Sequence, residues 1–206
     1  MRVVIFGSGG HGKVVWDILT VGGHEVVGFL DDQPTAEHVL GVPVVARAAG
    51  LPPHDGVIVA VGDNHVRAAK FAELRAAGAT LVNAIHPSAT VARHVTLGTG
   101  VVIAAGVVVN IDSVIGDNVI LNTGATIDHD NRIGDHAHVA PGCHLAGRIT
   151  VGEGAFLGTG TSVVPGRKIG AWAMTGAGSV VVQDVEAGAR VVGVPARPMK
   201  PKRERE

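Results

Sequence analysis

Every sixth residue from Val91 to Val181 is a branched aliphatic or has the shape of one. Val91, Leu97, Ile103, Val109, Ile115, Leu121, Ile127, Ile133, Val139, Leu145, Val151, Leu157, Val163, Ile169, Thr175 and Val181 keep one unbroken phase, and Thr175 retains β-branching. Neither a helix of period 3.6 nor a strand of period 2 generates a six-residue repeat of this length. A prism of short parallel strands does: three hexapeptides complete a triangular coil of eighteen residues. In such a coil the aliphatic side chain points inward and stacks on its equivalents about 4.8 Å above and below. Four positions on, the residue is small or Val, as at Val95, Val119, Ala125, Ala137, Cys143, Ala155, Thr161, Ala173 and Ser179. Glycine often follows the aliphatic residue, as at Gly98, Gly116, Gly134, Gly152, Gly158, Gly170 and Gly176. These glycines are expected to supply the backbone angles that corners demand. The repeat predicts about five coils, and it explains why a chain with 30 glycines has four Phe, two Trp and no Tyr. A narrow triangular core has no room for rings.

Hexapeptide repeats of this kind resemble the left-handed parallel β-helix, an exception to the right-handed crossover rule. Residues 1–86 read differently, as alternating strands and helices. Strands are expected at Arg2–Phe6, Glu25–Leu30, Val57–Val61 and Thr80–Ile85, with helices at Lys13–Thr20 and Asn64–Ala77. This alternation implies a small Rossmann-like parallel α/β sheet. Between the first strand and helix, Gly7-Ser8-Gly9-Gly10-His11-Gly12 matches G-x-G-x-x-G, and Asp31 and Asp32 end the next strand 19 and 20 residues after Gly12. The spacing is that of a dinucleotide fingerprint, with helix N-terminal amides facing a phosphate and a carboxylate facing a ribose. Strand, loop, helix and terminal acid together favour a nucleotide over a merely tight structural turn, and the domain has room for one mononucleotide half only, which argues against NAD. The chain therefore divides into a nucleotide-binding domain at 1–86, a β-helix at 87–190, and a terminator with a charged tail at 191–206.

Composition removes other classes. With 46% hydrophobic and 17% charged residues the chain has ample material for a core, so it is not disordered. A formal net charge of −1 gives no electrostatic reason for a nucleic-acid or anionic-membrane partner. The single cysteine, Cys143, excludes an intrachain disulfide, fits a reducing compartment and falls in the small inward slot of the repeat. The N-terminus lacks the basic-then-apolar layout of a signal peptide, and no 18-residue apolar run is present. A cytoplasmic protein without a membrane span is expected.

Chemistry concentrates at residues 128–144, which hold Asp128, His129, Asp130, His136, His138 and His144. His129 lies between two carboxylates. A neighbouring carboxylate keeps one ring nitrogen protonated and makes the other more basic, as a general base near neutral pH requires. His136, His94, His86 and His54 read as surface or structural residues. Two chemistries fit: acyl transfer from a thioester, with backbone amides holding the oxyanion, or a zinc hydrase with three histidine ligands across a subunit interface. A nucleotide-binding module that uses the β-helix only to trimerise is a third reading.

Several motifs in order narrow these readings. They are Gly-Gly-His-Gly at 9–12, Leu-Asp-Asp at 30–32, Val-Gly-Asp-Asn at 61–64 and Val-Asn-Ala-Ile-His-Pro at 82–87, then Leu-Asn-Thr-Gly at 121–124, Ile-Asp-His-Asp at 127–130 and Val-Gly-Val-Pro-Ala-Arg at 192–197. In these the chain resembles the sialic acid O-acetyltransferase-like family of bacterial sugar acetyltransferases. It is most similar to the bacillosamine- and perosamine-type N-acetyltransferases of nucleotide-linked 4-amino-4-deoxy sugars. The resemblance implies acetyl-CoA as cosubstrate, a nucleotide-linked amino sugar as acceptor, and a homotrimer with active sites between subunits. It implies substrate contacts at Gly9, Gly10, His11, Asp31, Asp32, Gly62 and Asn122, and acetyl-CoA contacts at His138, Gly147, Thr159 and Ala177. His129 falls on the family's general base and Asp130 on the carboxylate that orients it; some members carry Glu there. No metal is implied. O-acetylation of a sialic acid or similar sugar is the neighbouring activity.

Overall fold

The computed structural model describes residues 1–46 and 53–199. The charged tail expected at Lys200–Glu206 lies outside the described residues. The front of the chain forms β1 (Arg2–Phe6), α1 (Gly10–Val21), β2 (Glu25–Leu30), β3 (His38–Val39), β4 (Val42–Val45), β5 (Gly56–Val59) and α2 (Asn64–Ala76). The sheet order is β3-β4-β2-β1-β5, parallel except for the antiparallel β3–β4 pair. Strand β1 is buried on both faces, and its side chains alternate between two cores. Val3 and Ile5 join α1 and the β-helix, whereas Val4 and Phe6 join Phe71 and Leu74 of α2.

Three expectations are corrected by this arrangement. Helix α1 begins at Gly10 rather than Lys13, because the glycine loop itself winds into the first turn, with the Lys13 N–H donating to Gly9 O at 3.1 Å. Strand β5 occupies Gly56–Val59, and the chain leaves the sheet before Val61. Thr80–Ile85 is not one strand. Leu81 makes a single parallel bridge to Val57, while Ala84–Ile85 pairs with Val102–Ile103 and so starts the β-helix. The hairpin of β3 and β4 went unread because each strand is short.

From Ala84 onward two-residue strands recur every six residues and stack into a left-handed β-helix with three faces. On the face carrying Ala84, Val102, Ile120, His138, Phe156 and Met174, successive strands pair with a step of eighteen residues; the last, Met174 to Arg190, is shorter by two. The second face carries Thr90, Val108, Thr126, His144, Ser162 and Val180, and the third Thr96, Val114, Arg132, Thr150 and Lys168. The inward aliphatics from Ile103 to Val181 are buried, as are Ala125, Ala137, Cys143, Ala155 and Ala173 in the small slots.

The corners use glycine in two ways, and the glycines that follow the aliphatic residues do not supply the left-handed angles expected of them. Those residues have ordinary φ angles and answer to space instead: a Cβ at Gly134 would lie 2.7 Å from Glu153 N of the next coil. The left-handed angles fall two residues later, again every sixth residue, at Gly142 (φ 65°) but also at Asn118, Asp130, His136 and Trp172. Non-glycine residues in that region cost on the order of 1 kcal/mol, which stacking on both sides sustains.

One face of the prism is covered by the front domain. Its outward-pointing Val102 and Ile120 are buried, whereas the matching Thr126 and Val114 on the other faces are partly exposed. Arg67 of α2 fixes the contact. It is fully buried, and its guanidinium donates to the carbonyls of Asn118 (3.2 Å), Val61 (3.1 Å), Gly62 (3.3 Å) and His136 (2.6 Å). Burial lowers its pKa to about 10, with Asp63 opposing, so it stays charged at neutral pH. Four carbonyls from two domains thus depend on one cation. Arg67→Met should lower unfolding free energy by roughly 2–4 kcal/mol, because it strands buried acceptors on both sides of the junction. Denaturant midpoints at fixed protein concentration check this, and a loss below about 0.5 kcal/mol, the size of a surface change, would contradict it.

Candidate active site

The glycine loop occupies the carboxyl end of β1, beside β5, where the strand order reverses. Ligands of open α/β sheets bind at such a point. Gly12 packs on the Gly7 carbonyl, where a Cβ would overlap it, while Gly9 and Gly10 face open space. A cavity of about 390 Å³ opens beside them, lined by Ser8, Gly9, Gly10, Lys13 and the Thr35–Leu40 segment. Asp31 does not point away into this space. Its carboxylate accepts from the Ser8 N–H (2.9 Å) and hydroxyl (2.5 Å) and from the Gln33 N–H (3.0 Å). Burial would raise its pKa, but these hydrogen bonds outweigh it and hold the group below the usual carboxylate range. Asp31 therefore shapes the loop. Asp32 is ion-paired with Lys70 of α2, which also reaches Glu73. Lys13, with the β3 region, was missed by sequence reasoning, since a lone lysine on a helix reads as a solvated charge.

His11 at the start of α1 faces His138 on the covered β-helix face, their ring centroids 6.4 Å apart. His138 is 8% exposed, and its Nε2 meets the Asn122 side-chain nitrogen at 3.1 Å. Asn122 Oδ1 accepts from the Thr123 N–H, which turns the Asn122 amide donor toward His138. His138 Nε2 is then an acceptor, and the ring's proton sits on Nδ1. Burial, then the charge of Arg67, depresses His11 to about 4; burial, Arg67 and His11 depress His138 to about 3. Both rings are neutral at physiological pH. Gly62 lies at the same junction through its bond to Arg67.

His129 stands on the corner between the second and third faces. Asp130, the next residue, has φ 60°, and this left-handed kink returns its carboxylate to the ring: Nδ1 to Oδ2 is 2.7 Å. Only one of the two flanking carboxylates touches the imidazole. Asp128 instead accepts from the His129 backbone N–H and from Asn110, which hold it below the usual carboxylate range. The ring lies over Gly147, eighteen residues on, where a Cβ would come within 2.6 Å of Nε2. Among the described residues no hydrogen bond engages the Gly147 N–H. His129 and Asp130 are 44% and 53% exposed, so Nε2 is open to a substrate. His136 bonds Asn118 and sits edge-on to Phe71, and Cys143 is buried.

Within one chain the expected residues form two groups. His129, Asp130 and Gly147 share one corner. Asn122, Thr159 and Ala177 share another, next to the face that carries His138. The second face separates them, at most roughly 20 Å wide for six residues at about 3.3 Å each. That face holds a groove of about 550 Å³ lined by Asn110, Thr126, Asp128, His144 and Ser162 among others. His129, His138 and His144 occupy a corner and two different faces. Among the described residues no three or more His, Cys, Asp or Glu side chains gather as a metal site. No helix among them is long and apolar enough to cross a membrane.

The chain is similar to known proteins along its length. A model of the PglD N-terminal domain matches residues 2–74. The UDP-N-acetylbacillosamine N-acetyltransferase of Bacillus subtilis is 38% identical over 111 residues, which cover 50% of this chain and 51% of that enzyme. The crystal structure of PerB from Caulobacter crescentus in complex with CoA and GDP-perosamine is 47% identical with a TM-score of 0.90, covering 97% of this chain and 98% of that one. The acetyltransferase domain of PglB from Neisseria gonorrhoeae, in complex with acetyl coenzyme A, is 37% identical with a TM-score of 0.91, covering 96% and 98%.

The neutral histidine junction has a measurable cost in acid. In the unfolded chain His11 and His138 take up protons below about pH 6.5, whereas in the folded protein they resist until about 4 and 3. Stability should therefore fall as pH drops from 7 toward 4, by up to about 2 kcal/mol per histidine at pH 5. Unfolding free energies at pH 7 and 5 test this. His138→Gln should remove about half of the difference, and a pH-independent wild type would contradict it.

Proposed function

The chain belongs to the bacillosamine- and perosamine-type acetyltransferases, and on that premise we propose that it moves the acetyl group of acetyl-CoA directly onto the 4-amino group of a nucleotide-linked 4-amino-4-deoxy sugar. The observation that carries the reading is the corner at His129: an imidazole oriented by Asp130, with Nε2 open, lying over a glycine whose amide is free. The amine nitrogen attacks the thioester carbonyl while His129 Nε2 takes its proton. Asp130 keeps Nδ1–H in place and stabilises the imidazolium that forms. The Gly147 N–H faces the oxyanion of the tetrahedral intermediate. As that intermediate collapses the C–S bond breaks, and the proton held by His129 passes to the departing CoA thiolate. Acetyl-CoA is the cosubstrate, and a nucleotide-linked amino sugar the acceptor.

The separation of the two corners supports an active site shared between neighbouring subunits of a homotrimer. One copy supplies His129, Asp130 and Gly147. The next supplies the nucleotide cavity at Gly9 and Gly10, the junction at His11, Gly62, His138 and Asn122, and the corner at Thr159 and Ala177. Asp31 and Asp32 contribute by holding the loop and the helix that frame the nucleotide.

A CoA-release assay against GDP- and UDP-linked 4-amino sugars tests the reaction. His129→Ala should lower kcat by roughly 10²–10⁴-fold, the usual worth of a general base, with CoA affinity nearly unchanged. Turnover near the wild-type rate would sink the assignment. Mixing the inactive His129→Ala protein with an inactive Asn122→Ala, His138→Ala double variant, then reassembling the oligomers, tests the shared site. Some mixed interfaces would carry only intact contributions, so activity should return; mixtures as inactive as their parents would refute sharing.

A further inference from the structure

The inward aliphatic column on the face of His138 runs Ile103, Leu121, Val139 and Leu157, then breaks at Thr175. The small-slot column beside it runs Ala125 and Cys143, then Thr161. Two hydroxyls thus meet in a core that the preceding coils fill with hydrocarbon and one thiol. Thr161 and Thr175 are both fully buried. A buried hydroxyl is costly unless it is hydrogen-bonded, and here the bonding is complete. The Gly158 N–H donates to Thr175 Oγ1 at 3.0 Å and shares the Thr175 carbonyl at 3.1 Å. The two Oγ1 atoms lie 2.7 Å apart. Thr161 Oγ1 is 2.7 Å from the Gly158 carbonyl and 3.4 Å from that of Gly176. One order of donation satisfies every group: Gly158 N–H to Thr175, the Thr175 hydroxyl to Thr161, and the Thr161 hydroxyl to the Gly158 carbonyl. The two side chains close a circuit around one glycine, and each bond in such a chain polarises the next. Ser179 fills the following small slot, but there the residue stacked on Thr175 is Val191, and among the described residues Ser179 Oγ finds no partner.

The circuit sets a direction. The Gly158 carbonyl and the Thr159 N–H belong to one peptide group, which is planar and trans, so the two point opposite ways. The carbonyl is drawn into the prism by the Thr161 hydroxyl, by the Thr161 N–H at 3.0 Å and by the Cys143 thiol at 3.2 Å. The Thr159 N–H therefore faces outward at an exposed corner, and among the described residues no hydrogen bond engages it. Resting on the reading above that acetyl-CoA lies along this corner, we propose that Thr161 and Thr175 are positioning residues for acetyl-CoA, which aim the Thr159 N–H at a carbonyl of its pantetheine arm. A donor fixed before the ligand arrives loses little freedom when it binds. The rival is a purely structural pair, for which stability and not affinity would answer to the hydroxyls. Packing alone does not call for them, because Val139 in the aliphatic column and Val119 in a small slot are buried without any polar atom.

Two double variants separate these readings. Thr161→Val with Thr175→Val removes both hydroxyls and keeps the shape, so its denaturation midpoint should match the wild type or exceed it. Its dissociation constant for CoA, measured by titration calorimetry, should nevertheless rise roughly three- to tenfold, the worth of one hydrogen bond. Thr161→Ser with Thr175→Ser returns the hydroxyls and gives up two buried methyls. That pair should lose stability yet bind CoA within about twofold of the wild type, the size of a neutral change. KM for the nucleotide-linked sugar should stay within about twofold in both, since its site lies elsewhere. A Val pair that binds CoA like the wild type, or a Ser pair that binds as weakly as the Val pair, overturns the positioning role while the reaction stands. Should the Val pair not fold, the wild type decides: with isotope-labelled threonine, CoA should shift the Thr159 amide proton, and an amide that does not move overturns the proposal. If the wild type binds CoA but acetylates no amino sugar, the reaction reading fails instead, and the CoA affinities still decide the two threonines.

Discussion

The eighteen-residue step is the constraint on which the rest of the structure depends. Because each coil repeats the last in register, a side chain's neighbour above or below is set by arithmetic. Asn110 meets Asp128, Thr126 meets His144, Asn118 meets His136, and His129 meets Gly147, each pair eighteen apart. The corner proposed to be catalytic is thus a column property. His129 rests where it does because the next coil presents a hydrogen atom instead of a side chain. A helix or an open sheet would need long loops to bring such residues together; here the backbone ladder does so without any.

The front domain follows a different logic, and its grip on the prism is electrostatic as well as apolar. Arg67 satisfies four carbonyls and stays charged, and its field together with burial keeps His11 and His138 neutral. Burial thus does most to keep the crevice between the domains neutral, and the cation that joins them adds to it. The usual arrangement, a buried cation facing a carboxylate, would have neutralised that field. With Asp63 turned to cap α2 and carbonyls as the direct partners, the positive potential persists where an anionic nucleotide is proposed to bind.

How much of this was legible in the sequence depends on the range of the interaction. The aliphatic phase is periodic, so the prism and its inward residues could be read directly. His129 and Asp130 are adjacent, so their pairing was open to inspection, although the competing role of Asp128 was not. Gly147 beneath His129 could have been found by adding eighteen, since the coil length was already known. Arg67 could not: on the sequence it is one more charge on an amphipathic helix, and its partners on the β-helix lie 51 and 69 residues away. Thr80–Ile85 misled because a uniform apolar run carries no mark of where one sheet hands over to another.

The shortened final coil has a consequence for the protein in a crowded cell. A prism of stacked strands ends in bare N–H and C=O groups, a template on which another chain can polymerise. The last turn drops two residues, from Met174 to Arg190, and the chain then doubles back so that Val191 and Val192 pair antiparallel with Pro198 and Arg197. Proline offers no donor, and the reversed direction breaks the parallel ladder. On that face the stack is closed by a strand that cannot propagate it, which keeps a repetitive fold from growing into a fibre.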